Sequence, residues 1–383
     1  MKQASPAAPP PMPEHATEAA PPPAPERAAT GRPRPDGVLV IDKPRGPTSH
    51  DVVARLRRAL GVKRIGHAGT LDPMASGVLV ALVGEATKLA PYLTAQDKRY
   101  TARVVLGVGT DTLDADGEVT AAQPLPAWLD AELGALAGAG GPPGAEALAA
   151  AAPRIAAALD AELSRREQTP PAYSAIKVAG QRSYALARAG QAVELAARAV
   201  EVRSLAVSGA SRGGRGAPDA VATLDLELEV SKGYYVRSLA RDLGAHLGVP
   251  AHLSALRRAA SGAFTVARAV PLDAGADALR ASLRPLAEAA AESLPVARLT
   301  EDGARRARLG QPLTGADFSL APAQPGPAVW LDPDGRVVAL GAPVAAEGAD
   351  TEGVESSPAL PEPRFSVLRG FSETADVRGN AAR

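Results

Sequence analysis

From Leu224 to Val230 the chain alternates without a break: Leu224, Leu226, Leu228 and Val230 are apolar, and Asp225, Glu227 and Glu229 between them are acidic. Successive side chains of a strand point to opposite faces, so this stretch needs a sheet with one packed face and one wet face. Parallel sheets in doubly wound folds are covered on both sides and read as continuous apolar runs, whereas one-sided strands belong to antiparallel or mixed sheets. Nor do helical and extended segments alternate here as strict βαβ units. The expected fold class is therefore α+β, a central mixed or antiparallel sheet flanked by helices.

Other segments fit that frame. GVLVIDKP (37–44) reads as a short strand ended by a Lys43-Pro44 turn. Ser49 reads as the N-cap of a helix in which Val52, Val53, Leu56, Ala59 and Leu60 fall at helical spacing, and Gly61 supplies the stop. Residues 66–77 form a polar, glycine-punctuated loop before the buried strand GVLVALV. A strand over 99–106 puts Tyr100, Ala102, Val104 and Leu106 on one face, and a helix after SKGYYVR carries Leu239, Leu243 and Leu247 up to Gly248.

A chain of 383 residues exceeds one core of ordinary size, so two domains plus tails are expected. Residues 1–36 hold eleven of the 36 prolines and few aliphatics, a composition that stays disordered. Residues 37–294 read as the main domain, with an Ala/Gly-rich insertion at 123–160 that reads as a low-complexity run followed by an alanine-rich helix and from which no chemistry is expected. Residues 295–370, with short strands and DPDG and LGAP turns, read as a small β-rich domain, and 371–383 as a second tail.

The absence of cysteine removes disulfide scaffolds, thiolate nucleophiles and Cys-based zinc sites. Apolar runs such as Gly77 to Val83 fall far short of the ~20 residues needed to span a bilayer. Prolines interrupt the N-terminus where a secretory signal would need an apolar core, so a cytoplasmic protein without a membrane partner is expected. Basic and acidic residues balance at 42 each, which leaves any polyanionic partner to local patches. Val38–His67 carries seven bases against two acids, and Ser231–Arg258 five against one. Segments of this kind supply phosphate contacts, although Arg57 and Arg58 read equally as a solvated helix face. Residues 345–383, with seven acids and four bases, are expected to stay off such a partner. TDTLDADGE partly follows an EF-hand loop, but its first ligand position is Thr112 and its twelfth Gln123, so no metal is expected and Asp111 and Asp114 are read as turn organisers.

GHAGTLDPMASGVL (66–79) is the most informative stretch, placing His67 and Asp72 in a loop whose chain is stiffened by Pro73. On local chemistry alone, a loop aspartate is usually a turn residue and a loop histidine usually structural. Taken with GVLVIDKP, the DKRY strand start (97–100), GTDTLDADGE (109–118), PPAYSAIK (170–177) and SKGYYVRSLARDLG (231–244), however, the ordered set resembles the TruB family of RNA pseudouridine synthases over residues 37–270. The resemblance implies a pseudouridine synthase fold with a PUA-like C-terminal domain, the latter on GARRARLGQPL (303–313) and VVALGAP (337–343). It also implies isomerisation of the T-loop uridine at position 55 of tRNA by base flipping. The family's catalytic aspartate falls on Asp72, its base-stacking tyrosine on Tyr100, and the arginine that pairs with the aspartate on Arg237. Tyr235, Lys43 and His67 match residues on the substrate side. One departure is Tyr234, where some relatives have threonine, which bears on crowding near the base.

The chemistry agrees with the residues. Cutting the bond from C1′ to N1, turning the uracil and rejoining it through C5 oxidises nothing and adds no atom, so neither metal nor redox cofactor is expected. One carboxylate can act as nucleophile at sugar or base, or remove a sugar proton, and the sequence leaves these open. A charge-assisted, bidentate pair between Arg237 and Asp72 is expected, together with aromatic faces for the extruded base. The expected partner is the tRNA elbow, engaged by a monomer with no obligate protein partner. The alternative is an RNA-binding or tRNA-folding factor in which catalysis is secondary or lost.

Overall fold

The computed structural model describes residues 35–139, 141–174, 176–178, 180–191, 193–212, 222–344 and 364–372. The proline-rich stretch up to residue 34, residues 213–221, the acidic stretch 345–363 and residues 373–383 lie outside these.

A nine-stranded mixed sheet dominates, as the alternating pattern requires. Its order is Val202–Ser211, Ala222–Val230, Lys98–Leu106, Ala251–Ser261, Ser76–Val83, Gly37–Lys43 and Val270–Pro271, with Ile65–Ala68 and Phe264–Thr265 paired to the side. Neighbours are antiparallel except Ala251–Ser261 with Ser76–Val83 and Gly37–Lys43 with Val270–Pro271. In Ala222–Val230 the four alternating aliphatics enter the core, and on the other face Asp225 accepts two hydrogen bonds from Arg103 of the adjacent strand, at 2.6 and 2.9 Å.

Gly37–Lys43 is buried on both faces. Leu39 and Ile41 join the core under the helices Ser49–Leu60 and Val236–Leu247. Val38 and Val40 pack on the other side with Val329, Leu331 and Leu340 of a six-stranded C-terminal sheet. The β-rich segment therefore shares a core with the large sheet. Phe371, expected in a tail, is 8% exposed in that core, and its N–H donates to the Val338 carbonyl at 2.9 Å.

Two local expectations are corrected and a third is extended. The N-cap of the first helix is Thr48, which forms a capping box with Asp51, while Ser49 is the first helical residue. His67 lies on the strand Ile65–Ala68 and not in a loop, because that segment finds Ser76–Val83 as an antiparallel partner. The Ala-rich stretch holds the helices Ala127–Ala137, Ala145–Ala151 and Pro153–Leu163, and Leu129, Leu133, Leu136, Ile155 and Leu159 enter the main core. Aliphatics at helical spacing outweigh the low complexity of the residues around them.

Candidate active site

The loop between Ile65–Ala68 and Ser76–Val83 carries Asp72 and is pinned residue by residue. Ser49, 1% exposed, donates its hydroxyl to the Leu71 carbonyl at 3.1 Å and accepts from the Leu71 N–H at 2.9 Å. The Pro73 carbonyl accepts from the Gly46 N–H at 2.8 Å and from Lys43 Nζ at 3.5 Å. Arg258, 1% exposed on the strand beside the loop, donates to the carbonyls of Val78, Thr70 and Gly69 at 2.6, 3.3 and 3.2 Å. That close approach is why Gly77 lacks a side chain: at φ +98°, a Cβ there would lie 2.2 Å from the Arg258 carbonyl oxygen.

Arg237 lies on the first turn of the helix Val236–Leu247 and is 4% exposed. Its Nε donates to Asp72 Oδ2 at 2.9 Å, and Asp114 Oδ2 lies 3.7 Å from the same nitrogen. Nη1 and Nη2 donate to the carbonyls of Thr112 and Tyr173 at 3.0 and 2.9 Å. The expected bidentate contact with Asp72 is thus replaced by one bond to the carboxylate and two to main chain. Asp114 does organise its turn, accepting from the Thr112 hydroxyl at 2.6 Å and the Asp116 N–H at 3.1 Å. Asp111 accepts from the Glu118 N–H at 2.8 Å.

Asp72 opens into a cleft of about 770 Å³ that is also lined by Tyr100, Tyr235, Leu256, Lys98, Arg198, Lys232 and Arg258. It is the one carboxylate among the described lining residues. Tyr100 stands on Lys98–Leu106 opposite Leu228 on one neighbouring strand and Arg258 on the other, half-buried against the core. Tyr235 precedes the arginine helix, and burial raises its phenol above the ordinary tyrosine range, opposed by the Arg198 charge. Burial pushes the Lys98 ammonium down to about 8, with Arg258 and Lys232 adding to the effect and Asp97 opposing it. Tyr234 also lines the wall, but its hydroxyl donates to the fully buried Glu162 at 3.4 Å, so that end of the side chain is turned away from Asp72.

The structure therefore brings Asp72, Tyr100, Tyr235 and Arg237 to one cleft and leaves Lys43 and His67 outside its lining. Lys43 is fully buried and bonds to the carbonyls of Pro44 and Pro47, both at 2.9 Å, so as a substrate contact it is corrected to a support beneath the loop. Burial lowers its ammonium to about 8 against the opposing pull of Asp72. His67 lies 5.6 Å from the His50 ring, edge to face, and burial holds it below the ordinary histidine range. Sequence reasoning missed Ser49 as a staple, Arg258 as a grip on the loop, and Gln168. The Gln168 amide accepts from the Tyr235 N–H at 2.8 Å and donates to the Tyr235 carbonyl at 3.2 Å. Its position two residues before the PPAYSAIK stretch was the available signal.

Residues 57–137 and 145–236 match the model of the TruB family pseudouridylate synthase N-terminal domain, and residues 237–290 that of the tRNA pseudouridylate synthase B C-terminal domain. The match is interrupted over 138–144. The tRNA pseudouridine synthase B of Thermobifida fusca (strain YX) is 45% identical over 306 residues, covering 80% of this chain and 94% of that protein. That of Mycobacterium sp. (strain KMS) is 43% identical over 304 residues, covering 79% and 91%. Among solved structures, a chain of an H/ACA RNP bound to a substrate RNA containing 2′-deoxyuridine aligns with TM-score 0.58 at 21% identity, covering 91% of this chain and 93% of that one. A chain of a Cbf5-Nop10-Gar1 complex aligns with TM-score 0.56 at 24% identity, covering 80% and 78%, so the fold is shared with both.

Proposed function

The chain belongs to the TruB family of pseudouridylate synthases, and on that premise we propose how its residues convert uridine to pseudouridine in tRNA. The bond from C1′ to N1 breaks, the uracil turns over, C1′ joins C5, and C5 gives up its proton while N1 gains one. Asp72 is the carboxylate that meets the sugar–base linkage. Its negative charge faces C1′ as that carbon loses N1, whether it bonds to the sugar or takes a sugar proton. Arg237 holds the carboxylate at one oxygen and leaves the other for the substrate. Tyr100 and Tyr235 offer flat apolar faces to the extruded base, where stacking is worth about 1–3 kcal/mol. Asp72 bonded to a buried arginine inside a tyrosine-walled, cationic cleft is the observation that carries this reading.

The target is the T-loop uridine, position 55, recognised through the shape of a splayed loop more than through its sequence. The 295–370 segment is read as a PUA-like grip on the acceptor side. Among the described residues no helix is long and apolar enough to cross a membrane. The protein is read as a cytoplasmic monomer that acts without an obligate protein partner. Mapping pseudouridine in an unmodified tRNA transcript after incubation tests the assignment: modification of the T-loop uridine is expected, and modification confined to another position contradicts it.

A further inference from the structure

Five cationic side chains line the cleft: Lys98, Arg198, Lys232, Arg237 and Arg258. Three are already engaged by the protein. Arg237 holds Asp72 and two carbonyls, Arg258 holds three carbonyls, and Lys98 Nζ donates to the carbonyls of Thr94 and Gln96 at 2.6 and 2.5 Å. Each of these is less than a tenth exposed. Arg198 and Lys232 differ, being exposed with no carboxylate or carbonyl bonded to either side chain among the described residues.

Both are nevertheless held in place. Arg198 sits on the two-residue strand Arg198–Ala199, directly opposite Gln168 of Glu167–Gln168. Gln168, 2% exposed, is the residue whose amide clasps the backbone of Tyr235 from both sides. One buried amide thus sets the Arg198 strand against a wall of the cleft. Lys232 follows Ser231, whose N–H donates to the Glu201 carbonyl and whose hydroxyl accepts from the Glu201 N–H, both at 2.8 Å. The segment after Arg198 and the segment before Tyr235 are therefore laced together, with one unengaged cation on each.

Extruding a nucleotide rotates it about the backbone on either side, so the two phosphates flanking it must be held while the base enters. An arginine fork and a lysine point charge, both free and both at the mouth beside Tyr235, suit that anion. We propose that Arg198 and Lys232 clamp the phosphates flanking the extruded uridine. The inference rests on the functional reading above and adds to it the residues that stabilise the flipped state.

The test is a double-mutant cycle between protein and RNA. Turnover of a T-stem-loop is compared with that of the same RNA carrying methylphosphonates at both phosphates next to the target, for wild type and Arg198→Ala/Lys232→Ala. On the unmodified RNA the variant is expected to lose about ten- to a hundredfold in kcat/KM, the scale of charge-assisted hydrogen bonds. On the neutralised RNA it is expected to match wild type, and Arg198→Lys/Lys232→Arg to recover most activity on the unmodified one. Equal losses on both RNAs, or a loss that disappears as readily when two distant phosphates are neutralised, would overturn the clamp. Wild-type turnover of the unmodified stem-loop reports on the functional reading alone: absence of product there removes that reading, whereas product with equal losses removes only the clamp.

Discussion

The guanidinium of Arg237 joins three stretches that are far apart along the chain: Asp72, the turn at Thr112 and the loop at Tyr173. That Asp72 and Arg237 meet was legible only through the ordered motifs, because no local pattern brings residues 165 apart together. The geometry of the meeting was not legible, since the two main-chain acceptors that occupy Nη1 and Nη2 come from segments whose folding depends on the whole sheet. Lys98 makes a prediction at the same scale. With its ammonium at about 8, the cleft keeps that charge below this pH and loses it above. Affinity for tRNA should fall as pH rises through about 8, and a titration of Lys98→Met should give weaker binding at neutral pH with that inflection gone. An unchanged inflection would assign it to another group. For stability the sign runs the other way: the depressed lysine costs folding most below about 8, and the cost is relieved as pH climbs toward the ordinary lysine value of 10.5.

At the scale of elements, the first helix both packs and aims. Val52, Val53, Leu56 and Leu60 bury its inner face, a face the sequence declared by spacing. What spacing did not declare was the division of labour between adjacent hydroxyl residues. Thr48 caps the helix with Asp51, and the released Ser49 reaches 22 residues along the chain to hold Leu71. Thr-x-x-Asp was the available cap signal, but nothing local could show which carbonyl Ser49 would find. Replacing Ser49 with Ala strands both buried polar groups of Leu71, at about 1–3 kcal/mol by chemical denaturation. It should also lower kcat with tRNA affinity nearly unchanged, because Asp72 sits one residue on. A variant that loses stability but keeps full kcat would show that the staple does not position the carboxylate.

Across the whole molecule, the charge balance of the sequence hides a strongly one-sided cleft, five cations against Asp72. The two sheets share a core that no local pattern declares, since Val38 and Val40 of the short strand Gly37–Lys43 meet Val329, Leu331 and Leu340 from far along the chain. An alanine-rich helix was legible within 123–160, but low complexity hid that the stretch holds three helices, whose leucines complete the core beside the arginine helix. All of this scaffolding serves one disposition: a pinned carboxylate facing a cavity able to receive a nucleobase. Release of tritium from C5 of the target uridine, followed in a single turnover at saturating stem-loop RNA, tests that disposition most directly. Wild type should release the label, and Asp72→Asn should bind the same RNA and release none; equal release from both would contradict the account.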